Sequence, residues 1–355
     1  MQSRKFFKTL LSVLMVLSFL GVVLTGCGQA NTPNQTPTGT QAPAASTAKI
    51  VWYVPAPHPF FEQQKIGVEQ FKTETNIQVQ EQVGPDWNQS SETSNVEALA
   101  AKGNKYFAIY PSDASGANSL YSELTKQGCA FINIGASSLQ PTTASFCIAT
   151  DVKKAAMDAT ENLIKLMGQK GNIINVLEVL NDPNTILRKQ GIEEVVKKYP
   201  NVKIIQEISG MTSQQEAITK VGNALTANIN KVDGIIATGM TTSVAVAQVL
   251  TDYKAKGGSR TIHSIGIDTD PVVVKAIKDG VMDATISQNP IGQGYLSCMI
   301  FKLMSEGYTK IPGTYMIDSG TTLVTKANLD TYSTDIQKVT DQIKADLTTK
   351  YLEKK

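Results

Sequence analysis

The chain has 355 residues, enough for about two domains at roughly 100–200 residues each. Its 33 Lys and Arg are nearly balanced by 31 Asp and Glu, for a formal charge of +2, and the basic residues are scattered rather than gathered into a stripe. That pattern excludes nucleic acid as a partner.

Residues 1–26 begin with Arg4, Lys5 and Lys8, continue through an apolar run from Leu10 to Val23, and end on small residues. A charged start, a short apolar core and a small-residue end predict a cleaved secretory signal. The apolar run is shorter than the roughly 20 residues of a comfortable membrane span. The end of this segment, Leu24-Thr25-Gly26-Cys27, resembles the lipobox of bacterial lipoproteins. The resemblance implies that Cys27 is lipidated and becomes the new N-terminus, holding the protein to the membrane by a lipid anchor. Residues 27–48 are rich in Thr, Gln, Asn, Pro and Ala and lack an apolar cluster. They are expected to act as a flexible tether.

From residue 49 onward, short apolar runs alternate with helical patterns. Strands are expected over 50–54, 77–82, 106–110, 130–134, 173–177, 202–208, 234–237, 262–267 and 283–287. The helical patterns between them cover 61–74, 90–101, 117–126, 153–167, 188–199, 213–227, 244–253 and 271–279. Strict alternation predicts an α/β fold with parallel sheets and right-handed crossovers. The order repeats after about Thr150, which predicts two doubly wound lobes with a ligand cleft between their facing strand ends. Apolar residues at Ile336, Val339, Ile343, Leu347 and Tyr351 have helical spacing and close the chain with a helix.

Two readings stand for Cys129 and Cys147: a disulfide, which an extracellular compartment permits, or small apolar side chains buried as free thiols. With Cys298 they fit no zinc spacing, and no metal or cofactor is expected. No Gly-x-Ser-x-Gly elbow, Walker loop, His-Glu-x-x-His or Cys-x-x-Cys occurs, so no enzyme activity is expected. Asp268 and Asp270 are spaced as a turn and helix cap rather than as an acid–base pair.

Five motifs in order carry a resemblance to a family. They are His58-Pro59-Phe60-Phe61, Tyr110-Pro111-Ser112-Asp113, Arg188-Lys189-Gln190-Gly191-Ile192, Ile265-Gly266-Ile267-Asp268 and Ala284-Thr285-Ile286-Ser287-Gln288. Together they make the chain from about residue 50 to 325 resemble the type I periplasmic binding proteins, above all the ribose, galactose and xylose binders of ABC transporters. The resemblance implies two lobes joined by a three-strand hinge, with crossings near Thr150–Asp151, Gln288–Asn289 and Ile317–Ser319. The N-terminal lobe is then 49–150 plus 289–317, the C-terminal lobe 151–288 plus 318–345, and 346–355 a tail. It also implies a monomeric, extracytoplasmic lipoprotein that captures a sugar or sugar-like ligand and delivers it to an ABC transporter permease. A receptor for a furanosyl autoinducer, a nucleoside or a polyol, feeding a sensor, is the alternative. The lactose-repressor family shares the two-lobed core, but begins with a DNA-binding motif where this chain has its leader.

Carried over by position, Arg188 forks onto ligand hydroxyls from a helix start, unless it is an ordinary solvated arginine. Asp268 accepts from hydroxyls, or only caps the next helix. Gln288 reaches the ligand from the hinge, or bonds backbone alone. Of Phe60 and Phe61, at least one stacks on the sugar face. His58 stands where the family has Asn or Ser, and fits a neutral hydrogen-bonding role. Asp86 and Trp87 fall at the cleft edge by topology. Two departures concern Gly135, where sugar binders carry a carboxylate, and Gly239, where they carry Asn-Asp. Glycine at both positions predicts free space and fewer acceptors, suited to a larger, substituted or deoxy sugar.

Overall fold

The computed structural model describes residues 49–180, 182–211 and 213–355. The signal segment, Cys27 and the tether lie outside the described residues. Strand β1 (Ile50–Val54) is buried at every position, as a strand covered by helices on both faces must be. Helix α1 (Pro59–Thr75) begins where the His58 side chain accepts from the Phe60 amide and proline occupies its first turn, and it ends at Asn76 with φ 57°. There follow β2 (Val79–Val83), α2 (Gln89–Ala101), β3 (Tyr106–Ile109), α3 (Gly116–Lys126), β4 (Ala130–Ile134) and β5 (Phe146–Ala149).

The chain then enters a second sheet-and-helix unit. It comprises α4 (Val152–Leu166), β6 (Gly171–Val176), α5 (Pro183–Val196), β7 (Val202–Ile208), α6 (Gln214–Asn228), β8 (Gly234–Ala237), α7 (Met240–Ala255), β9 (His263–Ile267), α8 (Pro271–Lys278) and β10 (Ala284–Ser287). It returns through α9 (Pro290–Ser305), β11 (Tyr308–Lys310) and β12 (Met316–Asp318), then supplies β13 (Thr322–Thr325), α10 (Tyr332–Asp346) and β14 (Leu352–Lys354).

The first sheet has the order β12-β5-β4-β3-β1-β2 with every pair parallel. The second has the order β13-β10-β9-β8-β6-β7, parallel except for the edge pair β10–β13. The fold is therefore two doubly wound α/β lobes. In each sheet the winding direction reverses once, between β1 and β3 and between β6 and β8. Ligand crevices form outside the carboxyl ends of strands at such switch points, and here the two crevices face each other.

The chain passes between sheets after β5, after β10 and after β12. Ser319 ties these crossings together: its hydroxyl lies 3.3 Å from Thr150 Oγ1 and accepts from Gln293 Nε2 at 2.9 Å, while its carbonyl accepts from Asn289 Nδ2 at 3.0 Å. Where α9 returns, it crosses α1 with almost no space. A Cβ on Gly67 would lie 1.9 Å from the Ile291 carbonyl oxygen, and one on Gly294 would lie 2.1 Å from that of Gln64.

The C-terminal segment departs from the sequence expectation. Residues 318–345 were expected in the second lobe, with 346–355 a tail. Only β13 joins the second sheet; Ile343, Leu347 and Leu352 enter the core of the first lobe with Ile300 and Phe301, and β14 pairs with β11. An apolar helical stripe must be covered, but its period does not say by which lobe. Of the two readings for Cys129 and Cys147, the thiols prevail: both are buried and free, as is Cys298.

Candidate functional site

The carboxyl ends of the strands bring together a chamber whose empty space, open solvent included, is about 310 Å³. From the first lobe come His58, Phe60, Phe61, Trp87 and Tyr110; from the second come Glu178, Asp182, Asn184, Arg188, Asp268 and Gln288.

The first-lobe wall is aromatic. The Phe61 ring meets Tyr110 at 4.9 Å and 67° and Trp87 at 5.7 Å and 35°. Trp87 and Tyr110 are perpendicular at 5.5 Å. Tyr110 meets both other rings edge-to-face, and this mutual packing fixes the three as a preset apolar wall. Phe60 and Phe61 are both buried and both line the chamber.

The second-lobe wall is polar and rich in carboxylates. Asp182 caps α5, accepting from the Thr185 amide at 2.8 Å and its hydroxyl at 2.9 Å. With Pro183 in the first turn, this places the helix start well before residue 188. Arg188 is therefore not at the helix start, as expected from sequence, but farther along its buried face. It is 5% exposed, and its Nε has no hydrogen-bond partner among the described residues. A buried donor left without an acceptor is costly, and the Arg188 charge itself faces Asp268 and Glu178.

Asp268, 4% exposed, has φ 77°, a region that side chains rarely adopt and that recurs at functional sites. Its Oδ1 accepts from Gln288 Nε2 at 2.7 Å. Burial pushes its carboxyl up to about 6, against the opposing pull of Arg188. Asp270, not Asp268, caps α8. Gln288 thus holds a carboxylate and also lines the chamber, rather than bonding backbone alone.

The two walls touch. Tyr110 donates its hydroxyl to Asp182 Oδ1 at 2.7 Å, and Asn184 Nδ2 donates to the same hydroxyl at 3.1 Å and to the Gly135 carbonyl at 2.6 Å. Burial, then the Asp182 charge, raises the Tyr110 phenol well above its ordinary value, so it stays a donor. His58 Nε2 lies 3.1 Å from Thr241 Oγ1 and 3.5 Å from Glu178 Oε1. The lobes are closed on each other through these contacts.

The Phe60 amide donates to His58 Nδ1 at 3.2 Å, which sets Nε2 as the protonated nitrogen of the neutral ring. Burial opposes a charge on His58, but Glu178 overrides it and lifts the imidazole above its ordinary value. A second proton, on Nδ1, would break the cap bond. Burial likewise opposes the Glu178 charge, yet His58 and then Arg188 hold its carboxyl below the usual carboxylate range.

Of the residues expected from sequence, His58, Phe60, Phe61, Trp87, Arg188, Asp268 and Gln288 meet in this chamber. Asp86 does not: it is exposed and lines only an outer vestibule, which shares His58, Trp87, Glu178 and Asp182 with the chamber. Tyr110, Glu178, Asp182 and Asn184 were not singled out as site residues. Asp182-Pro183 carries a helix-start signal that could have marked one of them; Glu178 carries none.

The expected free space at the two glycines is absent. A Cβ on Gly135 would lie 2.9 Å from the Tyr110 ring, and one on Gly239 would lie 2.2 Å from Glu178 Oε2. Larger neighbours fill both places, and Glu178 and Asp182 supply acceptors that the sequence reading counted as missing.

The family described as periplasmic binding protein domain matches residues 50–309. The chain is 24% identical over 275 residues to a xylitol-binding protein of Mycolicibacterium smegmatis, spanning 76% of this chain and 73% of that one. An ABC transporter solute-binding protein of Burkholderia graminis, solved in complex with D-arabinose, matches with a TM-score of 0.75 at 22% identity, covering 81% of this chain and 98% of that one. Another from Bacillus halodurans, solved with bound myo-inositol, gives 0.72 at 17% identity over 82% and 99%. At these identities the structural likenesses carry the fold.

Proposed function

Because the chain belongs to the periplasmic binding protein domain family, we propose that it captures a sugar or polyol between its lobes outside the cytoplasm and hands it to an ABC transporter permease. The observation that carries this reading is Arg188, buried at 5% exposure with an unpartnered Nε inside a closed, two-walled chamber. A planar fork of donors is suited to neighbouring hydroxyls. The aromatic wall is suited to the apolar face of a ring.

The xylitol-, arabinose- and inositol-named relatives support small polyhydroxylated ligands as the class. The lipobox-like end at Cys27 supports attachment to the outer face of the membrane.

A binding role fits the chamber better than catalysis. Thr241, His58 and Glu178 bring together the residue types of a nucleophile, a base and an orienting acid. Thr241 and Glu178, however, meet the same ring nitrogen of His58, while the other is occupied by the Phe60 amide. A triad needs the nucleophile and the acid on opposite nitrogens. Titration calorimetry with pentoses, hexoses and polyols tests the proposal: saturable binding of one class at one site supports it, and silence from all of them rejects it.

A further inference from the structure

The chamber holds more negative than positive charge. Glu178, Asp182 and Asp268 line it, against Arg188 and, when protonated, His58. The balance is −2 with His58 neutral and −1 with it charged, so either protonation state leaves an excess of carboxylate. Two of the three carboxylates have several protein donors. Asp182 receives the Tyr110 hydroxyl and the Thr185 amide and hydroxyl; Glu178 receives the Thr241 amide and faces His58. Asp268 faces the Arg188 charge, but among the described residues its side chain is hydrogen-bonded through one neutral amide, that of Gln288, and it is 4% exposed. A buried carboxylate is stable when a cation and several donors reach it.

Opposite this wall stand the aromatic rings of Phe61, Trp87 and Tyr110, the first two 35° apart and both steeply inclined to the third. Ring faces attract cations as well as the C–H faces of sugars, most strongly where water is excluded. Arg188, with its unpartnered Nε, requires acceptors from the ligand as well. A bare amine would leave that nitrogen without an acceptor. A ligand carrying one ammonium group and several hydroxyls satisfies the aromatic rings, the carboxylate excess and the arginine together.

Resting on the proposed reading of the chamber as a sugar or polyol site, we infer that the preferred ligand is an amino-substituted polyol, an amino sugar or amino cyclitol, whose ammonium group meets Asp268. An ammonium supplies up to three charge-assisted donors at one point. An N-acetyl group in its place supplies one neutral donor and added bulk between lobes that touch directly through Tyr110–Asp182 and His58–Thr241.

The test uses matched sets in calorimetry at neutral pH: glucose with glucosamine and N-acetylglucosamine, the galactose equivalents, and inositol with its monoamine and the N-acetyl derivative. Wild-type protein should bind the amine of at least one set about tenfold or more tighter than its neutral parent, with the gain lost on acetylation. Asp268→Asn, a substitution that tolerates positive φ, should bring the amine close to parity with its parent. Binding of neutral pentoses or polyols without preference for the amine overturns this inference and leaves the proposed function standing. Full amine preference in Asp268→Asn overturns it too. Silence from the matched sets and from all neutral sugars and polyols overturns both.

Discussion

Tyr110, at the carboxyl end of β3 in the first lobe, donates its hydroxyl to Asp182, the cap of α5 in the second, at 2.7 Å. The same carboxylate therefore starts a helix in one lobe and fastens that lobe to the other. Tyr110→Phe removes only the second role, because the Thr185 bonds to Asp182 remain. A hydrogen bond to a charged group contributes about 1.5–3 kcal/mol, so ligand affinity should fall by about 10- to 150-fold as closure becomes harder. Small-angle scattering should show a larger radius of gyration for the unliganded variant. An unchanged radius together with unchanged affinity would mean that this contact does not hold the lobes.

The raised carboxyl of Asp268 makes stability depend on pH in a definite direction. Its folded value of about 6 lies above the ordinary 3.8, so the folded protein holds this proton more firmly than the unfolded chain does. Its contribution is most favourable below 3.8 and is lost as pH rises towards about 6. The loss across that window is about 3 kcal/mol. Asp268→Asn has no such dependence. Denaturant unfolding of both proteins from acid to neutral pH should show the wild type losing stability relative to the variant as pH rises; parallel curves would contradict the assignment.

The alternation of strands and helices was legible because parallel strands covered on both faces read as short apolar runs, as β1 and β8 do. The residues that end those strands were legible only where a motif marked them. His58, Arg188, Asp268 and Gln288 stood in such motifs. Glu178 sits in Val-Leu-Glu-Val, where no local signal separates a chamber residue from a solvated loop. Gly135 and Gly239 misled for a related reason: a glycine shows that its own side chain is absent, not which neighbour has moved into the place. Likewise, the stripe Val339, Ile343 and Leu347 required a partner surface without identifying the first lobe as that partner.

Gly239→Ala tests whether Glu178 has taken the place of the expected polar pair. The backbone there is extended, with φ −178°, and accepts alanine without strain. The new Cβ would lie 2.2 Å from Glu178 Oε2 and 2.3 Å from its Cδ, so the carboxylate must move. The fold should survive with a loss of about 1–3 kcal/mol, while affinity falls by about tenfold or more. Full affinity in a normally stable variant would show that Glu178 is dispensable.

Lipid attachment is tested at Cys27, which lies outside the described residues. Cys27→Ala should leave the protein unlipidated, appearing in soluble or unprocessed form, since firm anchoring needs about two acyl chains. Continued incorporation of labelled lipid into the variant would contradict attachment at this residue.

The capture of a polyhydroxylated ligand between the lobes rests most directly on Arg188, and calorimetric titration of wild type and Arg188→Ala with whichever sugar, amino sugar or polyol binds best is the measurement that tests it. The wild type should bind one ligand per chain. The variant should bind about 10- to 150-fold more weakly, while its unliganded stability barely changes, because relief of the buried, unbonded Nε offsets the charge lost beside Asp268 and Glu178. A dissociation constant unchanged by Arg188→Ala would take the arginine out of the site and contradict the account.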